Sequence, residues 1–423
     1  MQFCARCLYP STHPLNIVFD SEGVCSGCRV HEEKDHLDWT NRYEKLEKLV
    51  GSYRNKSVSG YDCIVPVSGG RDSYFIVHTV RKKLGLNPLL VNYNKHYNTR
   101  RGHRNLAYLR TIFDLDIYSQ VIKPQTIKKI TRETLRLRGS MYWHVLAGQS
   151  VWPVQVAVRH KIPLIIWGHH QGLDQVGMFS HTDEVEMSRK YRKEHDLMGL
   201  EAEDVVAQSD ELTEEDVQAF YYPHDKEISK VGVRGIYLGN YIRWDTKRQH
   251  EDMIDLYGYE TAVQQRTFDT YNDVDCMHYS GLHDHIKYLK TGYGRGTDHA
   301  TREIRFGRLT REEGLKLALD YENKPPKELT QFLEWSELAE REFYERVDMH
   351  RDTRVWTRDE NGAWQRASSF DQERLNAGRS NVALGETETW EFKVTESRDP
   401  QAREDEYVLI DRGYVDGCPA PIP

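Results

Sequence analysis

The sequence predicts an α/β protein built on a parallel sheet, with a zinc ribbon in front of it and a helical, then β-rich, extension behind. Three observations carry this. Short apolar runs alternate with helical stretches between residues 61 and 168, which implies parallel strands with helices on both faces. Two C-x-x-C pairs fall within the first 28 residues. A glycine loop, SGGRDS at 68–73, sits where the first strand run meets a helical run. At about 150 residues per domain, 423 residues leave room for more than one core. The divisions read from the sequence are a ribbon at 1–32, a linker helix within 33–60, the main domain at 61–311 and the extension at 312–423.

The ribbon comes first. Residues 35–52 then place Leu37, Tyr43, Leu46, Leu49 and Val50 near helical spacing, as an amphipathic linker. YDCIVPV (61–67) reads as a buried strand, and the helix after the glycine loop closes at Gly85. PLLVNYN (88–94) and IYSQVI (117–122) supply further strands, separated by a helix over 104–113. A helix over 148–160 leads into the strand IPLIIWG, 162–168. Ligands of such sheets sit beyond the carboxyl ends of the strands. Segment 183–227 is acidic and expected to be helical or mobile. Residues 310–350 carry two helices split by Pro325-Pro326, and TWEFKV and YVLIDRGYV suggest a small β-rich tail.

Composition narrows the class. With 38% hydrophobic and 29% charged residues, 25 Tyr and 9 Trp, the chain is polar but has enough aromatic mass for globular cores. Apolar runs such as Ile162 to Trp167 fall far short of the ~18 residues of a membrane span. The start, MQFCARCLYP, lacks the basic and apolar regions of a signal peptide. A cytoplasmic location is therefore expected. Seven cysteines in a chain of this length do not suggest a disulfide scaffold.

Cys4 and Cys7 form the first pair, Cys25 and Cys28 the second, with seventeen residues between the pairs. Four thiolates from two knuckles suit a tetrahedral zinc site, and four protein ligands make it closed and structural. Gly23-Val24-Cys25-Ser26-Gly27 also matches a G-x-C-x-G nucleophile elbow. An elbow needs a strand before it and a helix after it inside a full sheet, and only two dozen residues precede this one.

At a strand–helix junction, backbone N–H groups and the helix dipole favour an anion such as pyrophosphate. Gly69 and Gly70 allow close approach, Ser68 and Ser73 add hydroxyl donors, and Asp72 is a candidate Mg²⁺ ligand. The pattern is neither Walker A nor the dinucleotide fingerprint. SGGRDS resembles the SGG-x-DS motif of the PP-loop ATP pyrophosphatases, which split ATP between its α and β phosphates. The resemblance implies ATP contacts also at the strand ends Asn92-Tyr93 and Gly168-His169.

The region 275–313 gathers Lys287, Lys290, Arg295, Arg302, Arg305, Arg308 and Arg311 around a turn with glycines at 292, 294 and 296. Guanidinium groups fork onto phosphate or carboxylate. Lys290, Tyr293, Arg295, Arg302 and Arg305 are therefore candidate substrate contacts, with Lys290 and Arg295 also candidate catalytic groups beside Asp72; Asp245 is a weaker candidate. CARC…CSGC, SGGRDS, WHVLAGQSVWPVQVAV, IIWGHHQ, YLGNYIRWD and KTGYGRGTDHATREIRFGRLTREEG together span residues 1 to about 322. In combination they resemble the N-acetyl sugar amidotransferases of O-antigen and nonulosonic acid biosynthesis. The resemblance implies adenylation of an acetamido oxygen on a nucleotide sugar, then displacement of AMP by ammonia. It further implies ATP and Mg²⁺, and a separate glutaminase similar to that of histidine biosynthesis, with its cyclase-like barrel. The tail from about residue 350 matches no pattern of that family.

Two other readings compete. A tRNA thiolation enzyme also joins a PP-loop to a Cys-rich module; of Cys63, Cys276 and Cys418, only Cys276, near Asp275 and His278, is placed for such chemistry. A non-catalytic ATP-binding scaffold would not need Asp72. The net charge of -8 argues against nucleic acid as a partner. Yet residues 312–423 carry 15 Lys and Arg against 26 Asp and Glu, which leaves residues 1–311 slightly positive. The motif set, more than the bulk charge, therefore disfavours RNA, and the acidic tail becomes a candidate docking surface for a partner.

Overall fold

A computed structural model describes residues 1–378, 389–395, 397–398 and, as a strand, 407–409. Its centre is one parallel sheet of five strands: β1 (Cys63–Pro66), β2 (Pro88–Tyr93), β3 (Ile117–Gln120), β4 (Leu164–Trp167) and β5 (Arg234–Tyr237). Their spatial order is β3-β2-β1-β4-β5. Ile64 pairs with Leu89 on one side and Ile165 on the other. The chain reverses its direction of winding between β1 and β4, and a crevice opens at such a point beyond the strand ends.

Alternation along the strands sorts the core into two layers. Cys63, Val65, Leu90, Leu164 and Ile166 face the helix Arg71–His78 and the helix Thr246–Tyr257. Ile64, Leu89, Val91 and Ile165 face the helix Trp143–His160 through Trp152, Val154, Val156 and Ala157. A side-chain period of two thus buries both faces, as a parallel sheet requires. A third core lies beyond, where Trp143, Tyr279, Phe332 and Phe343 join a helical lobe to the sheet.

Several boundaries differ from the sequence reading. A helix Ser26–His36 starts inside the ribbon, and the linker helix proper is Trp39–Gly51, capped by the Asp38 carboxylate. The helix before β2 widens into a π-turn, Thr79–Lys83, and Gly85 then takes φ +61°. Residues 310–350 hold three helices, Arg311–Glu322, Leu329–Ser336 and Glu340–Asp348. The extra break falls where Glu337 adopts a left-handed conformation, φ +59°. Segment 183–227 is a series of short helical turns. In the tail, Trp356–Arg358 and Trp364–Arg366 form a hairpin, and Tyr407–Leu409 pairs antiparallel with Tyr97–Thr99. TWEFKV is described but forms no strand, and the rest of YVLIDRGYV lies outside the described residues.

Gly148 shows how closely helix and sheet approach. A Cβ there would stand 2.2–2.5 Å from ring atoms of Tyr93. Alanine normally stabilises a helix interior by up to ~1 kcal/mol over glycine, but this clash outweighs that gain. Gly148→Ala is expected to destabilise the fold by about 1–3 kcal/mol, measured as a lower urea midpoint.

Candidate functional site

The glycine loop leaves β1 and turns sharply into the helix Arg71–His78, whose N-cap is Gly70. Ser68 N–H donates to Ser73 Oγ at 2.9 Å, and Gly70 N–H donates to Ser68 Oγ at 3.0 Å. A Cβ on Gly69 would lie 2.1 Å from the Gly102 carbonyl oxygen. One on Gly70 would meet Ser68 Oγ at 3.1 Å and Asp275 Oδ1 at 3.3 Å. The two glycines therefore let a second wall, residues 100–102 and 275, close onto the loop.

Beside the loop lies a cleft of about 570 Å³. Asp72 faces it with 30% of its side chain exposed, 3.3 Å from His250 Nε2, 3.4 Å from Arg71 Nε and 3.8 Å from His169 Nδ1. Burial opposes ionisation of Asp72, but Arg71, His250 and His169 outweigh it and hold the carboxyl well below its ordinary range. Burial lowers both histidines, while the Asp72 carboxylate beside them works the other way. Behind them, buried Asp269 receives Arg302 at 2.8 Å and Arg71 at 3.7 Å. Arg302 also binds Glu303, which binds Arg308, which binds Asp245. This alternating chain locks the basic helix Arg295–Arg305 to the loop.

On the opposite wall, buried Lys95 places its ammonium 2.9 Å from Asp275 and 3.4 Å from Cys276 Sγ. Burial pushes the Cys276 thiol up to about 12, so at neutral pH it is a thiol held by Lys95 and Tyr142. Arg295 reaches Ser280 at 2.8 Å and Asp273 at 2.5 Å.

Ser68, Asp72, His169, Arg295, Arg302 and Arg305 all line this one cleft. Other sequence candidates do not. Asn92 donates to the Val67 carbonyl at 2.9 Å, tying two strands together. Tyr93 turns into the core and meets His144 Nδ1 at 3.1 Å. Gly168 is closed over by Ile76 and Trp244 and accepts from Gly239 N–H. Lys290, expected at phosphate or substrate, instead caps a neighbouring helix end, donating to the carbonyls of Arg138 and Gly139 at 2.7 and 3.3 Å. Burial, with Arg138 nearby, pushes it down to about 8. Tyr293 is buried against Tyr9 and His13 of the ribbon. Asp245 caps the helix Thr246–Tyr257 and pairs with Arg308.

The four ribbon cysteines are buried and free of disulfides. Cys4 and Cys28 sulfurs lie 3.9 Å apart, and those of Cys7 and Cys25 lie 3.6 Å apart. Sulfurs at Zn–S bonds of about 2.3 Å stand roughly 3.8 Å apart on a tetrahedron. Backbone N–H groups of Arg6, Cys7 and Cys25 point at Cys4 Sγ from 3.3–3.4 Å, as donors to a thiolate do. The cluster can hold a metal ion. Arg305 joins it to the cleft: its guanidinium lies 3.4 Å from Cys28 Sγ and 3.6 Å from Cys25 Sγ. The same group donates to the carbonyls of Asp174 and Gln175 at 2.9 and 3.0 Å. Ribbon residues Tyr9 and His31, with Lys34 at the end of the helix Ser26–His36, line the cleft directly.

Sequence reasoning missed Lys95, Asp269, Asp275 and His250. Each lies in a polar stretch with no motif of its own, and only the fold brings them to the loop. The signal for Lys95 was its place two residues beyond β2, at the carboxyl edge of the sheet.

Among the described residues, no helix is long and apolar enough to cross a membrane. Among curated proteins, the uncharacterized protein MJ1599 of Methanocaldococcus jannaschii is 26% identical over 117 residues, which is 27% of this chain and 40% of that relative. The chain thus spans less than half the length of that relative. Among solved structures, NMN synthetase from Francisella tularensis aligns over 46% of this chain and 93% of its own, at 13% identity and a TM-score of 0.25. Residues 265–370 match the family described as LPS biosynthesis protein WbpG-like, C-terminal domain, a stretch that holds Asp269, Asp275, Arg295, Arg302 and Arg305, so the basic wall of the cleft is where this chain is similar to a lipopolysaccharide biosynthesis protein.

Proposed function

We propose that the chain is an ATP-dependent, AMP-forming amidotransferase of the PP-loop type that converts the acetamido group of a nucleotide-linked N-acetyl sugar into an acetamidino group for lipopolysaccharide biosynthesis. One observation carries the reading: Ser68, Arg71 and Asp72 of the glycine loop line the same cleft as Arg295 and Arg302, and Arg295 and Arg302 fall in the stretch similar to the WbpG-like domain.

An amide oxygen is a poor leaving group. Attack of that oxygen on the α-phosphorus of ATP breaks the bond to the β-phosphate and releases pyrophosphate. Ammonia then adds to the activated carbon, gives up one proton, and the C–O bond breaks to release AMP and leave an amidinium. Ser68, Gly69, Gly70 and Ser73 would hold the pyrophosphate, with the loop's internal Ser68 and Gly70 N–H bonds to the serine hydroxyls exchanged for bonds to its oxygens. Asp72 would hold Mg²⁺, which when bound would supply positive charge beside the departing group. Arg71, Lys95 and Arg302 add fixed positive charge, each oriented by an acidic partner. Structural zinc in the four cysteines and ammonia from a separate glutaminase, with its barrel partner, complete the proposal. The protein works in the cytoplasm, where ATP and nucleotide sugars are made.

The test is direct. With ATP, Mg²⁺, ammonium and a panel of UDP-acetamido sugars, AMP, pyrophosphate and a sugar product about one mass unit lighter are expected, since O becomes NH. Release of ADP and phosphate instead would overturn the reading.

A further inference from the structure

The cleft continues past the loop to the metal ribbon, where four polar side chains from three parts of the chain meet. Asp298 accepts from Tyr9 O–H at 3.0 Å and from Gln175 Nε2 at 3.4 Å, and it pairs with Lys287. Asp298 and Lys287 keep 18% and 22% of their side chains exposed, and all four residues line the cleft. Tyr9 is held from behind by His13 and Tyr293, ring centroids 4.7 and 6.3 Å away.

This end differs chemically from the loop end. At the loop, Arg71 and Arg302 pair with Asp72 and Asp269 beside the glycine turn. Here a carboxylate stands at the centre, flanked by an amide, an ammonium and a phenol. Adjacent carboxylate, amide and ammonium groups suit a pair of hydroxyls, which donate and accept together. We infer that Asp298, Gln175 and Lys287 bind the hydroxyl-bearing, uncharged part of the acceptor, its sugar ring, and that Tyr9 of the metal ribbon is a positioning residue that fixes Asp298 for this contact. The inference rests on the proposed amidotransferase activity for the identity of the acceptor. It adds that the ribbon is a wall of the acceptor site as well as a folding device.

Calorimetric titration of the zinc-loaded protein with UDP-N-acetylglucosamine and, separately, with ATP tests it. Asp298→Asn is expected to weaken the UDP-sugar by about 10- to 100-fold, as lost hydrogen bonds to a charged group do, and to leave ATP affinity within about 2-fold. Tyr9→Phe, which keeps the ring, is expected to weaken the UDP-sugar by about 3- to 10-fold with one zinc per chain retained. In steady state, both variants raise the acceptor KM more than they lower kcat. Unchanged UDP-sugar affinity in Asp298→Asn, or equal loss of ATP and UDP-sugar affinity with zinc retained, overturns the assignment alone. Wild-type protein that binds both ligands yet forms no AMP overturns the proposed activity while the binding arms still decide the subsite.

Discussion

Asp72→Asn is expected to lower the proposed pyrophosphate release by about 10²–10³-fold and to leave ATP affinity the same or slightly tighter. Asparagine keeps the shape and the position in the first turn of the helix Arg71–His78, so the loop is preserved. Two electrostatic changes then oppose each other. Loss of the anion removes the candidate metal ligand at the point where charge builds on the departing pyrophosphate, an effect of the size seen when one transition-state contact is removed, about 3–4 kcal/mol. It also leaves Arg71 without one partner, which favours bound phosphates by about 1 kcal/mol at a partly exposed site. The first change dominates the rate and the second shows in binding. Pyrophosphate release under saturating ATP, with calorimetric ATP affinity beside it, separates them. Near wild-type turnover in Asp72→Asn would remove Asp72 from the chemistry.

Metal removal is the second large effect. The ribbon's own apolar cluster is small: Tyr9, Ile17 and Val24 around the cysteines, completed by Tyr293 from the main domain. A core of that size does not hold a module of some thirty residues, and structural zinc contributes on the order of 10 kcal/mol to such folds. One zinc per chain is expected by elemental analysis. Chelation with a strong chelator, or Cys4→Ser, is expected to unfold the ribbon, release Tyr9 and Arg305 from the cleft and lower the melting temperature. Thiol titration gives the sharpest measure. Cys4, Cys7, Cys25 and Cys28 become reactive on chelation, whereas buried Cys63 and Cys276 stay protected until the main domain melts. Reactivity of all four in the untreated protein, with no metal bound, would contradict the site.

Much of the fold was legible because local pattern and tertiary role coincide. Four of the five strands are apolar runs bounded by turns, and all four were placed. β5, RGIY, was missed: it opens on exposed Arg234, contains Gly235 and, among the described residues, pairs only with Leu164–Trp167 along one edge. The loop was legible because its six residues must all lie together. The strand-end rule failed at Asn92 and Tyr93 for a physical reason. Side chains of a strand alternate between the faces of the sheet, so residues near a carboxyl end can still point into the layers, as Tyr93 does beneath Gly148. Lys290 was misplaced for a similar reason, since charge density in 275–313 says nothing about rotation around the helix Met277–Thr291. Lys287 reaches the cleft and Lys290, one turn later, reaches a helix end.

Arg305 and the cysteines it touches have a bearing on how the protein is made. Cys25 and Cys28 leave the ribosome about 280 residues before Arg305 does, a separation shared by Tyr9 and Asp298. At roughly 5–20 residues per second, the ribbon waits on the order of a quarter of a minute to a minute for the surface that covers it. During that interval Arg305 and Tyr293 are not yet there to cover its four thiols. A metal ion held by the four cysteines would keep the ribbon folded until that surface exists.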